Sequence, residues 1–420
     1  MISVKTILHV IAIGITNFLS KFVFGIIIPL KLNVRYKNLQ AVYSTHTSFI
    51  LLPNHTSRWD PFILSFPVLR PIRWVGSDAV FRNSARILMM MCGAIPKIKE
   101  QSDMIAIQSM KKAVSLGHIV GMFPEGNQTW NGETIDIIPA TAKLVRLLKI
   151  PVIVPLLKGG YLTNPRWAWT VRRSRIDVHY RRVIDADEVK TLKLVEIERR
   201  INDALSYDEY KWQKKQRVPI RSSIRAEYME LAHFICPACE TVGNMQSQGN
   251  QLFCTCGYVV LVDKYGFFVY PENGPSFEKP SHWMRWQSRF LVDRIREKLD
   301  EMRNGGNVDI VLLRDADVTL MMGKRALPMK TVLRGEARLY KNRLEIGNPG
   351  ETVSVFPLRE TTAVNIFKQQ KFEFRFEKTQ YRLQFPTRHV SGLKWEIAYK
   401  GLREIQVERG EWAGNSENTG

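Results

Sequence analysis

"SFILLPNHTSRWDPF", residues 48–62, passes from an apolar run through a polar turn into a segment that opens on Asp60-Pro61. An apolar run bounded by turn residues predicts a buried strand, and Pro61 suits the first turn of a helix. Strands handed to helices through polar turns are the repeating unit of an α/β fold with a largely parallel sheet. The turn carries His55 and Asp60, five positions apart, among Asn54, Thr56, Ser57 and Trp59. Alone, the pair is either a base with its orienting carboxylate or the polar lining of a turn. Eight histidines in the chain make such a spacing unspecific by itself.

The flanking sequence repeats the pattern. "IRWVG" (72–76), "IVGMFP" (119–124) and "PVIVPLL" (151–157) predict further buried strands, and 61–70, 84–92, 103–117 and 139–149 read as helices between them. Residues 36–205 are therefore expected to form one α/β domain. Ligands in such sheets bind beyond the carboxyl ends of the strands. Both the His55 turn and "FPEGNQTWNG" (123–132) fall at such ends, so two polar turns can converge on one site.

The whole chain has 420 residues, 45% hydrophobic and 24% charged, which indicates globular material in two or three domains and excludes an intrinsically disordered chain. A net charge of +21 implies an anionic partner: nucleic acid, an acidic membrane surface or a phosphate-bearing substrate. Four of the five cysteines lie within 236–256, which does not resemble a secreted disulfide framework and fits a reducing compartment. "ILHVIAIGITNFLSKFVFGIIIPL" (7–30) is long enough for one membrane span, but Lys21 would sit deep within it. Residues 1–35 are instead expected to form two short membrane-associating helices embedded in one leaflet, with Lys21 snorkelling from the bend. The alternative is a buried core helix.

His-x4-Asp at 55–60, "GAIPKIK" at 93–99, "FPEGN" at 123–127 and "IPVIVPLL" at 150–157 together resemble the glycerolipid acyltransferase family, the 1-acylglycerol-3-phosphate acyltransferase-like enzymes, over roughly residues 1–205. The resemblance implies that His55 is a catalytic base oriented by Asp60. It also implies that Glu125 and Gly126, with Asn127 and Gln128, bind the acceptor. Asn127 stands where the family has Thr, and Gln128 where it has Arg. Ile98-Lys99 stand where it has Asp-Arg, leaving Lys97 and Lys99 either as point charges for a phosphate or as solvated surface groups. Cys92, at an apolar helix end, reads as core rather than as a rival nucleophile.

The implied activity is O-acyl transfer from a thioester, acyl-CoA or acyl carrier protein, to a lysoglycerophospholipid. The implied acceptor is 1-acyl-sn-glycerol-3-phosphate, the setting the cytoplasmic face of the cell membrane, and no catalytic cofactor is expected. The alternatives are another lysolipid acceptor, or a non-catalytic protein binding membrane or nucleic acid. Retention of His55, Asp60 and Glu125 favours the enzyme.

"NPRWAWTVRRSRIDVHYRR" (164–182) interleaves Trp167 and Trp169 with six arginines. Next to an apolar anchor this reads as an interfacial belt against anionic lipid, or as a landing site for donor phosphates; stacking on single-stranded nucleic acid and simple solvated decoration are the alternatives. A basic linker is expected at 206–230. Over 231–272, Cys236-x2-Cys239 and Cys254-x-Cys256 resemble a zinc ribbon, with a structural zinc held by four thiolates. Unligated or redox-active cysteines are the alternative. Residues 277–407 predict an amphipathic helix and then a small barrel of antiparallel strands closed by one C-terminal helix, a pattern similar to pleckstrin-homology-like domains. A disordered tail is expected at 408–420.

Overall fold

The computed structural model describes residues 32–82, 86–98, 103–271, 274–305, 309–324, 327–348 and 350–412, together with residues 11, 13–16, 18, 19, 22, 23 and 27. It divides into two compact units. Met1–Arg225 with Asp263–Phe267 form the first; Ala226–Val262 with Phe268–Gly420 form the second.

The first unit is α/β, as the alternation of apolar runs predicts. Its strands are β1 (Asn33–Lys37), β2 (Ile50–Leu51), β3 (Ile72–Ser77), β4 (Ile95–Lys97), β5 (Ile119–Gly121), β6 (Val152–Lys158) and β7 (Arg175–Ile184). They lie in the order β1-β7-β6-β2-β5-β3-β4. Every neighbouring pair is parallel except β6 with β7. The principal helices are α1 (Asp60–Ser65), α2 (Arg86–Met91), α3 (Met104–Ser115), α4 (Ala140–Leu148), α5 (Leu194–Leu205) and α6 (Glu209–Gln216). Strands β2, β5 and β6 lie mid-sheet, and Ile50, Leu51, Val120, Val152 and Ile153 are fully enclosed. Their continuous apolar runs follow from burial on both sheet faces.

Several expectations change. The helix expected over 61–70 ends at Ser65. Residues 206–225, expected as linker, belong to the packed unit. Glu209 in α6 is fully buried, and its carboxylate accepts hydrogen bonds from Gly159 N and Leu162 N, both at 3.0 Å. The interfacial belt also fails at its centre. Trp167 is 1% exposed and donates Nε1–H to the Tyr161 hydroxyl at 3.1 Å, while the buried Arg172 guanidinium stacks on its ring. An indole turned inward cannot meet a lipid surface. Arg173, Arg181 and Arg182 do remain exposed.

Much of the expected N-terminal helix pair, including Lys21, lies outside the described residues. Of the residues described there, Ile11, Ile15, Phe18, Leu19, Phe22 and Val23 are helical and largely exposed. Among the described residues, no helix is long and apolar enough to cross a membrane.

In the second unit, β8 (Met245–Gln248), β9 (Gln251–Cys254), β10 (Val259–Val262) and β11 (Phe268–Val269) form a small antiparallel sheet beside the cysteines. Helix α7 (Pro280–Gly305) anchors it, with Trp283 Nε1–H donating to Ile235 O and Gln287 Oε1 accepting from Phe234 N, both at 3.0 Å. A larger antiparallel sheet follows: β12 (Leu313–Gly323), β13 (Lys330–Leu339), β14 (Arg343–Gly347), β15 (Ser354–Pro357), β16 (Thr361–Phe367), β17 (Lys371–Phe376) and β18 (Thr379–Gln384). The order β15-β14-β13-β12-β18-β17-β16 ends on β15 and β16 without pairing them, so the strands form an open sheet where a small barrel was expected. Helix α8 (Leu393–Glu408) packs on it through Trp395 and Leu402. The disordered tail expected over 408–420 does not hold for residues 408–412. Trp412 is buried and Glu411 pairs with Arg303 and Lys341; residues 413–420 lie outside the described set.

Candidate active site

The His55 turn leaves the carboxyl end of β2, and the 123–128 loop leaves that of β5, its parallel neighbour. Lys97 ends β4, two strands further along the same rim. The topology thus gathers three predicted segments on one edge of the sheet.

Asn54 fixes the turn to the sheet. Its amide donates to Leu157 O at 2.9 Å and accepts from Leu157 N at 2.8 Å, both on β6. Asp60, fully buried, is the first residue of α1. Its Oδ2 meets His55 Nδ1 at 2.9 Å, Thr56 N at 2.7 Å and Ser57 N at 2.9 Å. Its Oδ1 accepts from Thr56 Oγ1 at 3.0 Å and Ser57 Oγ at 2.8 Å. A carboxylate taken out of water needs such partners, and the short polar residues of "HTS" supply them. The His55 side chain stays 18% exposed. With Nδ1 at Asp60, Nε2 is the ring nitrogen that could carry a proton in transit.

Glu125 could bind a hydroxyl or brace its loop, and bracing is what is seen. Oε1 accepts from His55 N at 2.8 Å and Oε2 from Ile135 N at 3.0 Å. Burial pushes its carboxyl up to about 8, against the pull of the Ile135 and His55 amides, with the Asp60 charge adding to the rise. Gly126 sits at φ +71°, and a Cβ there would come 2.7 Å from Ile138 Cδ1, so the turn admits only glycine without strain. Thr129 N donates to His55 O at 3.0 Å, a second tie between the two loops.

Asn127 and Gln128 are half-buried on this loop. Gln128 O accepts from Arg166 Nη1 at 2.9 Å, and the Arg166 guanidinium also stacks on Trp130. Arg58, between the dyad residues, donates Nη2–H to Trp169 O at 3.0 Å. Desolvation lowers the Arg58 pKa. Lys97 Nζ donates to Ile98 O at 3.2 Å, while Lys99 lies outside the described residues. Burial raises the Cys92 thiol, which suits a core role.

Sequence reasoning missed Asn54, Arg58, Arg166, Phe123 and Trp74. Asn54 and Arg58 stood inside the opening stretch. Phe123 and Trp74 sat within apolar runs and looked like core, yet the Phe123 ring stacks on His55 at 3.8 Å between centroids.

In the second unit, the sulfurs of Cys236, Cys239, Cys254 and Cys256 all lie within 4.8 Å of one another. Cys236–Cys256 and Cys239–Cys254 are each 3.7 Å apart. A tetrahedral site with Zn–S bonds of about 2.3 Å has S–S edges of about 3.8 Å, so the four thiols fit a metal of that size.

The Acyltransferase family model matches residues 33–157. The chain is 25% identical over 169 residues to the 1-acyl-sn-glycerol-3-phosphate acyltransferase of Streptococcus pneumoniae (strain ATCC BAA-255 / R6), covering 38% of this chain and 59% of that protein. The chain thus spans about three fifths of the length of that relative. The crystal structure of the 1-acyl-sn-glycerophosphate (LPA) acyltransferase PlsC from Thermotoga maritima superposes with a TM-score of 0.40 at 13% identity, over 49% of this chain and 79% of that one. The family match over residues 33–157 and the curated relative together support the resemblance of that segment to the glycerolipid acyltransferase family.

Proposed function

We propose that the protein transfers a fatty acyl group from a thioester, acyl-CoA or acyl carrier protein, to the hydroxyl of a lysoglycerophospholipid, with 1-acyl-sn-glycerol-3-phosphate as the favoured acceptor. The observation that carries this is the His55–Asp60 pair, held at 2.9 Å on the strand rim. His55 Nε2 takes the proton of the acceptor hydroxyl as its oxygen attacks the thioester carbonyl. Asp60 holds the Nδ1 proton and stabilises the imidazolium that forms. The C–S bond then breaks, and the departing thiolate takes the proton from Nε2. No side chain becomes acylated.

Glu125 acts as a brace between the two loops. Gly126, Asn127 and Gln128 form the acceptor's bed, with Lys97 and Lys99 as point charges for its phosphate. The exposed apolar side chains near the N-terminus and the net charge of +21 support a peripheral or monotopic site of action on an anionic membrane, at the cytoplasmic face. Cys236, Cys239, Cys254 and Cys256 hold a structural zinc. Bound there, it would fasten two loops of a ribbon and leave no open position for chemistry. The seven-stranded sheet with α8 is read as a pleckstrin-homology-like unit.

The test is an assay of purified protein with labelled acyl-CoA and equal amounts of lysophosphatidic acid, a neutral lysolipid and a diester lysolipid. Thioester-dependent label in phosphatidic acid is expected. Label in another lysolipid alone would replace the acceptor, and no label with acyl-CoA or acyl carrier protein thioesters would overturn acyl transfer.

A further inference from the structure

Beneath His55 lies a column of rings. Phe123 lies 3.8 Å from His55 between centroids, with the planes 19° apart, and Trp74 lies 5.2 Å beyond Phe123 at 15°. The column begins in the sheet itself. Trp74 on β3 pairs in register with Gly121 on β5. A Cβ at residue 121 would come 2.6 Å from the indole, so glycine gives Trp74 room to lie flat across the strand. Ser65 Oγ accepts from Trp74 Nε1 at 2.8 Å and fixes the indole's azimuth. Phe123 follows β5 by two residues and closes the gap to the imidazole.

We propose that Trp74 and Phe123 form an aromatic pedestal that holds the His55 ring and stabilises its protonated state, making both of them positioning residues for proton transfer. The proposal rests on the acyl-transfer reading for its catalytic consequence, though not for its titration. Asp60 grips one edge of the imidazole through Nδ1, and Phe123 covers one face. Together they block rotation of the ring and leave Nε2 aimed away from both. A cation over an aromatic face is attracted by the ring quadrupole, so the pedestal favours the imidazolium over the neutral ring. Asp60 from its own turn meets the imidazole, and Glu125 from the loop after β5 meets the His55 backbone N–H. Phe123→Leu and Trp74→Leu alter neither. Leucine keeps the site apolar, so plain filling predicts little change while a π face predicts a specific one.

The experiment follows the His55 imidazole by NMR titration in the full-length protein, beside the pH–rate profile with acyl-CoA and lysophosphatidic acid. In Phe123→Leu the His55 midpoint and the acid limb of kcat should both move down by about 0.4 to 1 pH unit. The maximal rate should fall about 3- to 10-fold with little change in KM for the donor. Phe123→Trp should restore both positions, and Trp74→Leu should give a smaller shift of the same sign. A His55 midpoint in Phe123→Leu equal to wild type would overturn the pedestal, whatever happens to the rate. If wild type transfers no acyl group, the proposed function falls, and the titration still decides the pedestal.

Discussion

Each unit gathers polar side chains from separate loops onto one small spot, and the two assemblies differ in what they converge on. Around His55, nearly every polar atom is spoken for. Asp60 receives five donors and Glu125 two, while Asn54 takes two bonds from β6. These ties converge on one histidine, through its backbone N–H and its Nδ1. In the cysteine cluster, the four sulfurs converge within 4.8 Å of one another, and Cys239 Sγ also donates to Thr241 Oγ1 at 3.4 Å. A rim that spends many groups to aim one suits chemistry, whereas four thiols converging on one point suit a structural metal.

The sharpest way to break this contrast is at Asp60. Asp60→Asn should lower kcat by at least ~10²-fold, because the amide permits the wrong imidazole tautomer. It should leave the metal content of the second unit unchanged, as metal analysis beside the rate assay would show. Comparable activity in the variant would remove the distinction between an aiming group and a filler.

Next in size is the metal. Purified protein should carry one zinc per chain, and Cys236→Ser with Cys239→Ser should abolish it and melt the ribbon. Circular dichroism and limited proteolysis of the full chain would report the melting. Metal-free protein that stays folded, purified under reducing conditions, would make the cluster something other than a structural zinc site.

A smaller effect tests Glu125. Its folded carboxyl lies at about 8, above the ordinary value of 4.5, so the folded state holds more protons than the unfolded state between those values. Stability contributed by Glu125 is therefore complete below about 4.5 and is lost as pH rises through about 8. Glu125→Gln should flatten that slope while costing about 1–3 kcal/mol, because one backbone donor loses its acceptor. Urea denaturation at pH 5 and pH 8 would check it, and identical slopes in both proteins would reject the buried brace. The smallest expected effect is at Lys97. Lys97→Ala should raise KM for lysophosphatidic acid a few-fold, with kcat nearly unchanged, in steady-state kinetics. An unaltered KM would return Lys97 to the solvated surface.

The strands most legible in sequence are the mid-sheet ones, buried on both faces. Mid-sheet burial wrote β2, β5 and β6 as continuous apolar runs, and β3 as a shorter one. Strand β7 was hidden because "RIDVHYRRVI" carries charges at alternate and terminal positions, so composition drew the eye to arginine and away from periodicity. The same bias turned Trp167 and Arg172 outward, where the fold stacks them together inside. His55 and Asp60 were legible because their spacing lies within one turn. The Phe123 stack and the Asn54–Leu157 bonds join residues far apart in sequence, and contacts of that kind leave no local signal.

The most direct test is the initial rate of His55→Ala against wild type, with acyl-CoA and lysophosphatidic acid, in protein whose circular dichroism and metal content match. Loss of transfer by at least ~10²-fold is expected, because the substitution removes the positioned base. A folded His55→Ala protein working near the wild-type rate would contradict the account at its centre.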